Sequence, residues 1–441
     1  MAQTLVRRKL FSKKVIIFLL ICITMFFSIG SYLQEIKHIS MRLRAMDQTY
    51  LMNKWHSATV EEFYGHRAVR PSSILGGILF DRKNIPDPNP NANRTFVVLV
   101  WKYWNWLKSR HVFNFGKHGR QENISLEGCS VNNCVFSGNE SLMDTADAVI
   151  IHLQKGLVPH VENRSLTQRW IFLNDESPKN AFSLAKTKPS LESLYNIFNW
   201  SMTYRTDADV PVPYGRAFPR KEPLNKVYET LEDLVAIIPY WERKKRNRIA
   251  AVLMSNCGVQ ARNNFLDNLM KYVEVDIFGG CSHNKKMKSS CPGHFRADCD
   301  PVTEYLFYLV LENTSCFQYL TEKVFYHAYS KGAVPIIFGP KLEDVASLLP
   351  PNSYLYADAE TDVEILAKNM KAMVQSMDLM LDMHMWRNHF KVVNEHGYFG
   401  TKSYHWCRVC EALNYNDQKE KVYNKELLDS FLDPNKTCYD V

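Results

Sequence analysis

The stretch from Tyr305 to Pro340, YLFYLVLENTSCFQYLTEKVFYHAYSKGAVPIIFGP, constrains the fold more than any other part of the chain. Phe307 to Leu311 is an apolar run with the length of a buried strand. It stops at Glu312-Asn313, two polar residues placed where a parallel strand opens into a cleft. Thr321 is an N-cap candidate for a helix, with Glu322 and Lys323 in its first turn and Val324, Phe325, Ala328 and Tyr329 at helical spacing. Gly332 would end that helix, and Val334 to Phe338 reads as a second buried strand closed by Gly339-Pro340. A β-α-β unit results, with Glu, Asn, Thr, Glu and Lys at one edge. Such an edge suits a phosphorylated ligand, because backbone amides and a lysine both stabilise anionic oxygen.

The same spelling resembles the donor-binding region of the α1,3-fucosyltransferases, the GDP-fucose-dependent type II membrane enzymes of the Golgi. Leu311-Glu312-Asn313 and Tyr319-Leu320-Thr321-Glu322-Lys323 match its two fixed blocks, and Val334-Pro335 and Gly339-Pro340 match the strand that follows. Leu306 and Leu311 depart from the pattern, at apolar positions that bear on packing more than chemistry. The resemblance runs from about Phe96 to Leu413. It implies an α/β protein of the GT-B kind, two Rossmann-like domains facing a cleft, preceded by a single transmembrane helix and a stem.

The N-terminus fits that layout. Val15 to Leu33 carries no charged residue over 19 positions, and a helix of that length spans roughly 28 Å, close to one bilayer core. Arg7, Arg8, Lys9, Lys13 and Lys14 precede it, against Lys37, Arg42 and Arg44 after it, which orients residues 1–14 to the cytosol. A signal-anchor over 15–33 is therefore expected, although Ser28-Ile29-Gly30 also offers the small residues of a cleaved signal peptide. Ten of the eleven cysteines lie beyond this segment, an even number suited to disulfides in an oxidising lumen. Glycosylation sequons fall at Asn93, Asn123, Asn139, Asn163, Asn199, Asn313 and Asn435; Asn313 lies in the expected donor site and should stay unmodified. The formal charge of +8 owes five charges to the cytosolic tail, so nucleic acid is not an expected partner.

Residues 34–93 end in a Pro/Asn-rich run and read as a stem. An acceptor-side α/β domain is expected over 94–240, with strands at Phe96 to Trp101, Ala148 to Leu153 and Trp170 to Leu173. The basic run Glu242 to Arg248 reads as a solvated interdomain linker. A GDP-fucose-binding α/β domain with C-terminal helices is expected over 241–441. Its strands are Ile249 to Met254, Val273 to Phe278 and the two above, with helices near Arg262 to Met270, Asp362 to Met373 and Leu379 to Asn394.

Ligands of open parallel sheets bind beyond the carboxyl ends of strands. Four strand ends here are followed by small or polar residues: Ser255-Asn256-Cys257-Gly258, Gly279-Gly280, Glu312-Asn313 and Gly339-Pro340. Arg262 and Lys323 add the cations that a departing pyrophosphate needs. By resemblance, Arg262 contacts the diphosphate, and Tyr319, Glu322 and Lys323 hold the nucleotide sugar. Glu312 and Asn313 complete the donor-side set. An inverting transfer also needs a base for the attacking hydroxyl. Strand Trp170 to Leu173 runs through Asn174 into Asp175-Glu176-Ser177-Pro178, and the resemblance points to Glu176 as that base, with Asp175 the neighbouring competitor. Tyr204, Arg205 and Asp207 match another family block and are placed on the acceptor side. Asp207-x-Asp209 invites a metal reading, but two carboxylates without a third ligand are weak support, and no essential divalent cation or other cofactor is expected.

Trp406-Cys407-Arg408-Val409-Cys410 has the thioredoxin spelling at the wrong end of a chain; a short Cys407–Cys410 disulfide is expected instead. Cys281, His283, Cys291, His294 and Cys299 fit no common zinc pattern. The expected activity is transfer of L-fucose from GDP-fucose to the 3-hydroxyl of GlcNAc in glycans. The rivals are a catalytically silent luminal glycan-binding protein of the same fold, and a transferase using another nucleotide sugar. Acceptor identity and oligomeric state stay open.

Overall fold

The computed structural model describes residues 48–440 apart from 68–69, 88–90, 114–125, 162–163, 166, 228–230, 292, 294–297 and 400, with a few positions between 31 and 46. Among the described residues no helix is long and apolar enough to cross a membrane; the 15–33 segment, Ser31 apart, lies outside them.

Two parallel sheets organise the chain. The first has the order β2-β1-β3-β4-β5-β6, from Cys134–Ser137, Phe96–Val100, Ala148–His152, Arg169–Asn174, Trp200–Thr203 and Val210–Pro211. The second has the order β12-β11-β10-β8-β9, from Leu355–Ala357, Val334–Phe338, Phe307–Leu311, Ala250–Leu253 and Val275–Phe278. A two-stranded antiparallel ribbon joins β7 (Gly215–Pro219) to β13 (Phe390–Asn394). Strands β3, β4, β10 and β11 are buried along their whole length. This is why Ala148 to Ile151, Trp170 to Leu173, Phe307 to Leu311 and Val334 to Phe338 read as continuous apolar runs and not as alternating ones. Helix Gln260–Leu269 buries Arg262, Phe265, Leu266 and Leu269, one stripe at spacings of three and four.

The expected stem, C-terminal helices and helix to Asn394 need correction. The stem does not extend to residue 93, because residues 48–65 and Ile74–Phe80 are helical. Val60 and Phe63 join the core that also holds Tyr305, Tyr319 and Phe390, and Leu75 packs under the first sheet. The C-terminal helices do not stay with the second domain. Trp406, Val409, Cys410 and Leu413 of His405–Tyr415 enter one face of the first domain's core. Leu428, Phe431 and Leu432 of Lys425–Leu432 enter the other. The expected helix to Asn394 ends at Asp382, and Phe390 to Asn394 is a strand, since the β-branched pair Val392-Val393 finds its partners in Ala217 and Arg216.

The helix after Thr321 is a π-helical turn, Lys323–Ala328, followed by a 3₁₀ turn, Tyr329–Lys331. Thr321 does not cap it; its N–H donates to Glu312 Oε1 at 2.9 Å. Gly332 does close the unit at φ +67, where a side chain would also collide with the Pro239 carbonyl.

Candidate active site

The carboxyl end of β4 delivers two adjacent carboxylates into opposite surroundings. Asp175 is fully buried. Its Oδ2 lies 3.0 Å from an Arg110 guanidinium nitrogen and 3.1 Å from His396 Nε2, and His152 Nε2 is 3.7 Å from Oδ1. Burial alone would push this carboxyl up, but Arg110 and the His152 and His396 bonds outweigh it and hold it well below the carboxylate range. The next side chain turns the other way. Glu176 is partly exposed, and its Oε2 accepts a hydrogen bond from the Tyr319 hydroxyl at 3.1 Å. Burial and the neighbouring Asp175 charge push its carboxyl up to about 7, against the pull of Arg110, Tyr319 and Lys323.

Asp175 and Glu176 are therefore an unequal pair. One is a permanent buried anion; the other takes or gives a proton near neutrality, which is what a general base requires. Tyr214 braces the strand end by donating to the Asp175 carbonyl at 2.9 Å and stacking on His396 at 3.9 Å. His111, Asp175 and His405 come close enough to suggest a metal site. His111 and His405 stack at 3.8 Å with their ring planes 26° apart. Arg110 already occupies the carboxylate, so a bound cation would meet a guanidinium.

On the second domain, Glu312 at the end of β10 is a buried hub. Its oxygens accept from the Thr321 N–H, the Thr321 hydroxyl and Lys323 Nζ, the last at 2.9 Å. Burial works against the Lys323 charge, yet Glu312 and Glu322 keep it protonated well above its usual range. Glu322 sits 3.4 Å from Lys323 Nζ, and Asn313 is partly exposed beside the hub. Arg262 is buried against main-chain carbonyls, donating to Leu311 O at 3.4 Å and to Asn256 O. Its Nε finds no partner among the described residues. Lys323 and Arg262 thus lie at the carboxyl ends of β10 and β8, and Tyr319 carries this edge across to Glu176.

The acceptor-side trio separates. Tyr204 packs edge-on against Tyr319 at 5.0 Å. Arg205 and Asp207 instead form a two-pronged pair at 2.9 and 2.6 Å, with the guanidinium over Phe431 at 4.0 Å. That pair ties β5 to the C-terminal helix. Asp209 is likewise held, by the Ser201 N–H, Tyr423 and Lys421, so the Asp-x-Asp oxygens already serve protein donors.

The Cys407–Cys410 pairing is overturned: the disulfides are Cys129–Cys407 and Cys134–Cys410. Both cysteines sit one helical turn apart on His405–Tyr415 and face the first sheet, where each meets its own partner. Cys257–Cys281, Cys291–Cys299 and Cys316–Cys438 use the remaining cysteines after residue 33, including those of the zinc reading. Non-reducing peptide mapping is expected to recover the two long-range links. Losing either by Cys→Ser substitution should cost about 2–5 kcal/mol of stability. Asn199 is also removed from the glycosylation candidates, since it is buried, accepts from Trp170 N at 2.9 Å and donates to Lys421 O at 2.8 Å. Asn93, Asn139 and Asn435 are exposed; Asn123 and Asn163 lie outside the described residues.

Sequence reasoning missed Arg110, His152, Tyr214, His396 and His405. Arg110 and His396 are separated by 286 positions and carry no local motif; His152 lay inside the expected strand Ala148 to Leu153, but as a strand residue and not as a site residue.

Residues 93–215 match the family model "Fucosyltransferase, N-terminal", and residues 242–428 match "Glycosyltransferase family 10 (fucosyltransferase) C-term". Alpha-(1,3)-fucosyltransferase C of Drosophila melanogaster is 30% identical over 337 residues, covering 73% of this chain and 73% of that protein. Alpha-(1,3)-fucosyltransferase 4 of Bos taurus is 27% identical over 384 residues, covering 77% and 87%. A crystal structure of an α1,3-fucosyltransferase with GDP-fucose superposes with a TM-score of 0.45 at 15% identity, covering 80% of this chain and 100% of that one. With both family domains matched in order along one chain, the protein belongs to glycosyltransferase family 10, the α-(1,3)-fucosyltransferases, and is a fucosyltransferase enzyme.

Proposed function

We propose that the enzyme transfers L-fucose from GDP-fucose, with inversion, to the 3-hydroxyl of GlcNAc in a glycan, using Glu176 as the general base. The observation that carries this reading is the asymmetry at the end of β4: a Glu176 carboxyl raised to about 7 beside a permanently ionised Asp175. The acceptor oxygen attacks the fucose anomeric carbon as Glu176 takes its proton. The bond from that carbon to the diphosphate oxygen breaks on the opposite face, and GDP leaves with the electron pair. Lys323 and Arg262 are the cations that would stabilise the growing charge, and Glu322 and Tyr319 would orient the sugar. Asn313 is placed by the same motif beside the nucleotide sugar, and Tyr204 on the acceptor side. The expected setting is the Golgi lumen, with residues 15–33 as anchor and residues 1–14 in the cytosol.

The test is a soluble form beginning at Gln34, incubated with GDP-fucose and a panel of GlcNAc-bearing acceptors, with linkage analysis of the product. An α1,3-linked fucose is expected. Transfer only from another nucleotide sugar, or a product at another hydroxyl, would overturn the assignment. The pH profile is a second check. Because the base acts when deprotonated, kcat/KM should rise tenfold per pH unit on the acid side and level off near pH 7. A profile already flat at pH 5 would remove Glu176 from that role.

A further inference from the structure

A cavity of about 340 Å³ lies away from the active-site edge, where the chain crosses between the two domains. Arg220 belongs to the outward crossing after β7, and Arg387 and Lys391 belong to the return crossing into β13. Tyr329 and Ser330 close it from the turn that precedes β11, the edge of the second sheet opposite Glu312. Arg387 is 8% exposed. It donates to the Tyr329 carbonyl at 2.9 Å and to His384 Nδ1 at 3.3 Å, and its guanidinium lies over the Trp386 ring. Arg220 Nε donates to the Arg387 carbonyl at 3.3 Å, which fixes the two arginines relative to each other.

None of the three cations is in an ion pair with a carboxylate among the described residues, and only the Tyr329 phenol works against the burial of Arg387. Burial accordingly lowers the Arg387 guanidinium to about 9, and Lys244, one of whose neighbours is Arg387, is lowered to about 7. A buried guanidinium without a counter-charge is unfavourable unless something else supplies the anion. Of the other buried arginines, Arg110 pairs with Asp175 and Arg408 with Glu395 and Glu411, whereas Arg262, on the edge assigned to the donor phosphates, turns like Arg387 to main-chain carbonyls. A cavity of this size has room for a small molecule but not for an oligosaccharide.

We propose that this cavity is a second anion site, taking one phosphate or sulfate group, free or as the ester of a small molecule, at the hinge between the domains. Arg387 supplies the inner contact through Nη1, the guanidinium nitrogen that neither Tyr329 nor His384 uses, and Arg220 and Lys391 close over the anion from the two crossings. An anion held there bridges both crossings and stiffens the approach of one domain to the other.

The test uses the full chain with saturating GDP, so that the donor edge is filled. Inorganic phosphate, sulfate and phenyl phosphate are titrated calorimetrically at constant ionic strength. A saturable one-to-one isotherm is expected, and Arg387→Gln should raise its Kd by roughly tenfold or more. Lys391→Gln, at an exposed rim position that leaves the core untouched, should raise it several-fold and decides the matter if Arg387→Gln fails to fold. Tighter binding of phenyl phosphate than of phosphate would identify an ester as the ligand; the reverse order would identify the free anion. No saturable heat, or affinities unchanged in both variants, would overturn the site.

Discussion

Glu176→Gln is expected to fold, bind GDP and lose roughly 10²–10⁴ in kcat, because the amide keeps the carboxylate's shape but cannot take a proton at neutral pH. The Tyr319 hydroxyl can still donate to the amide oxygen, so the local packing survives the change. Initial rates at saturating donor and acceptor, with GDP affinity measured separately, distinguish lost chemistry from lost binding. Retention of most of the turnover would mean that the proton goes elsewhere. A fall in GDP affinity equal to the fall in rate would place Glu176 in binding.

Asp175→Asn should fail in a different way. Asp175 is buried with Arg110 at 3.0 Å, and removing the anion leaves a guanidinium in the interior without its charge partner. Breaking one side of such a buried pair costs about 3–5 kcal/mol, so the expected result is a lower Tm and denaturation midpoint. Arg110→Met should destabilise by a similar amount, and the double variant by less than the sum. The pH sign follows from the depressed Asp175 carboxyl. Its stabilisation is present above the unfolded carboxylate range and is lost as pH falls toward the folded value. Glu176 has the opposite sign: its raised carboxyl makes stability decline as pH climbs from the unfolded range to about 7. Removing the Asp175 charge should also shift the acid limb of kcat/KM to lower pH. An Asp175→Asn protein as stable as the native one would mean that Arg110 is satisfied by its other contacts. A stable but silent one would make Asp175 the base.

The two carboxylates also show where sequence stops being informative. Asp175-Glu176 is legible as a pair of acids after a strand, and nothing local separates them. The separation comes from Arg110, His152 and His396, which three distant segments bring to one of the two side chains. The same limit explains the cysteines. Cys407 and Cys410 look like partners because they are three apart. A helix points both at the first sheet, where Cys129 and Cys134 are waiting. The reading of residues 34–93 failed because amphipathic stripes such as Val60 and Phe63 gain their meaning only from the core they join.

By itself the sequence determined the elements whose signals are local. The fully buried strands Phe307–Leu311 and Val334–Phe338 announce themselves as unbroken apolar runs, and Ala148–His152 does so up to its last residue. The polar residues that follow them mark the ligand edge, because a strand end is the one place where such a run meets solvent. Tertiary structure alone decided which acid keeps its charge, which cysteines pair and where the C-terminal helices lie. These depend on field, distance and burial contributed by residues hundreds of positions away, and charge interactions and covalent reach act through space and not along the chain.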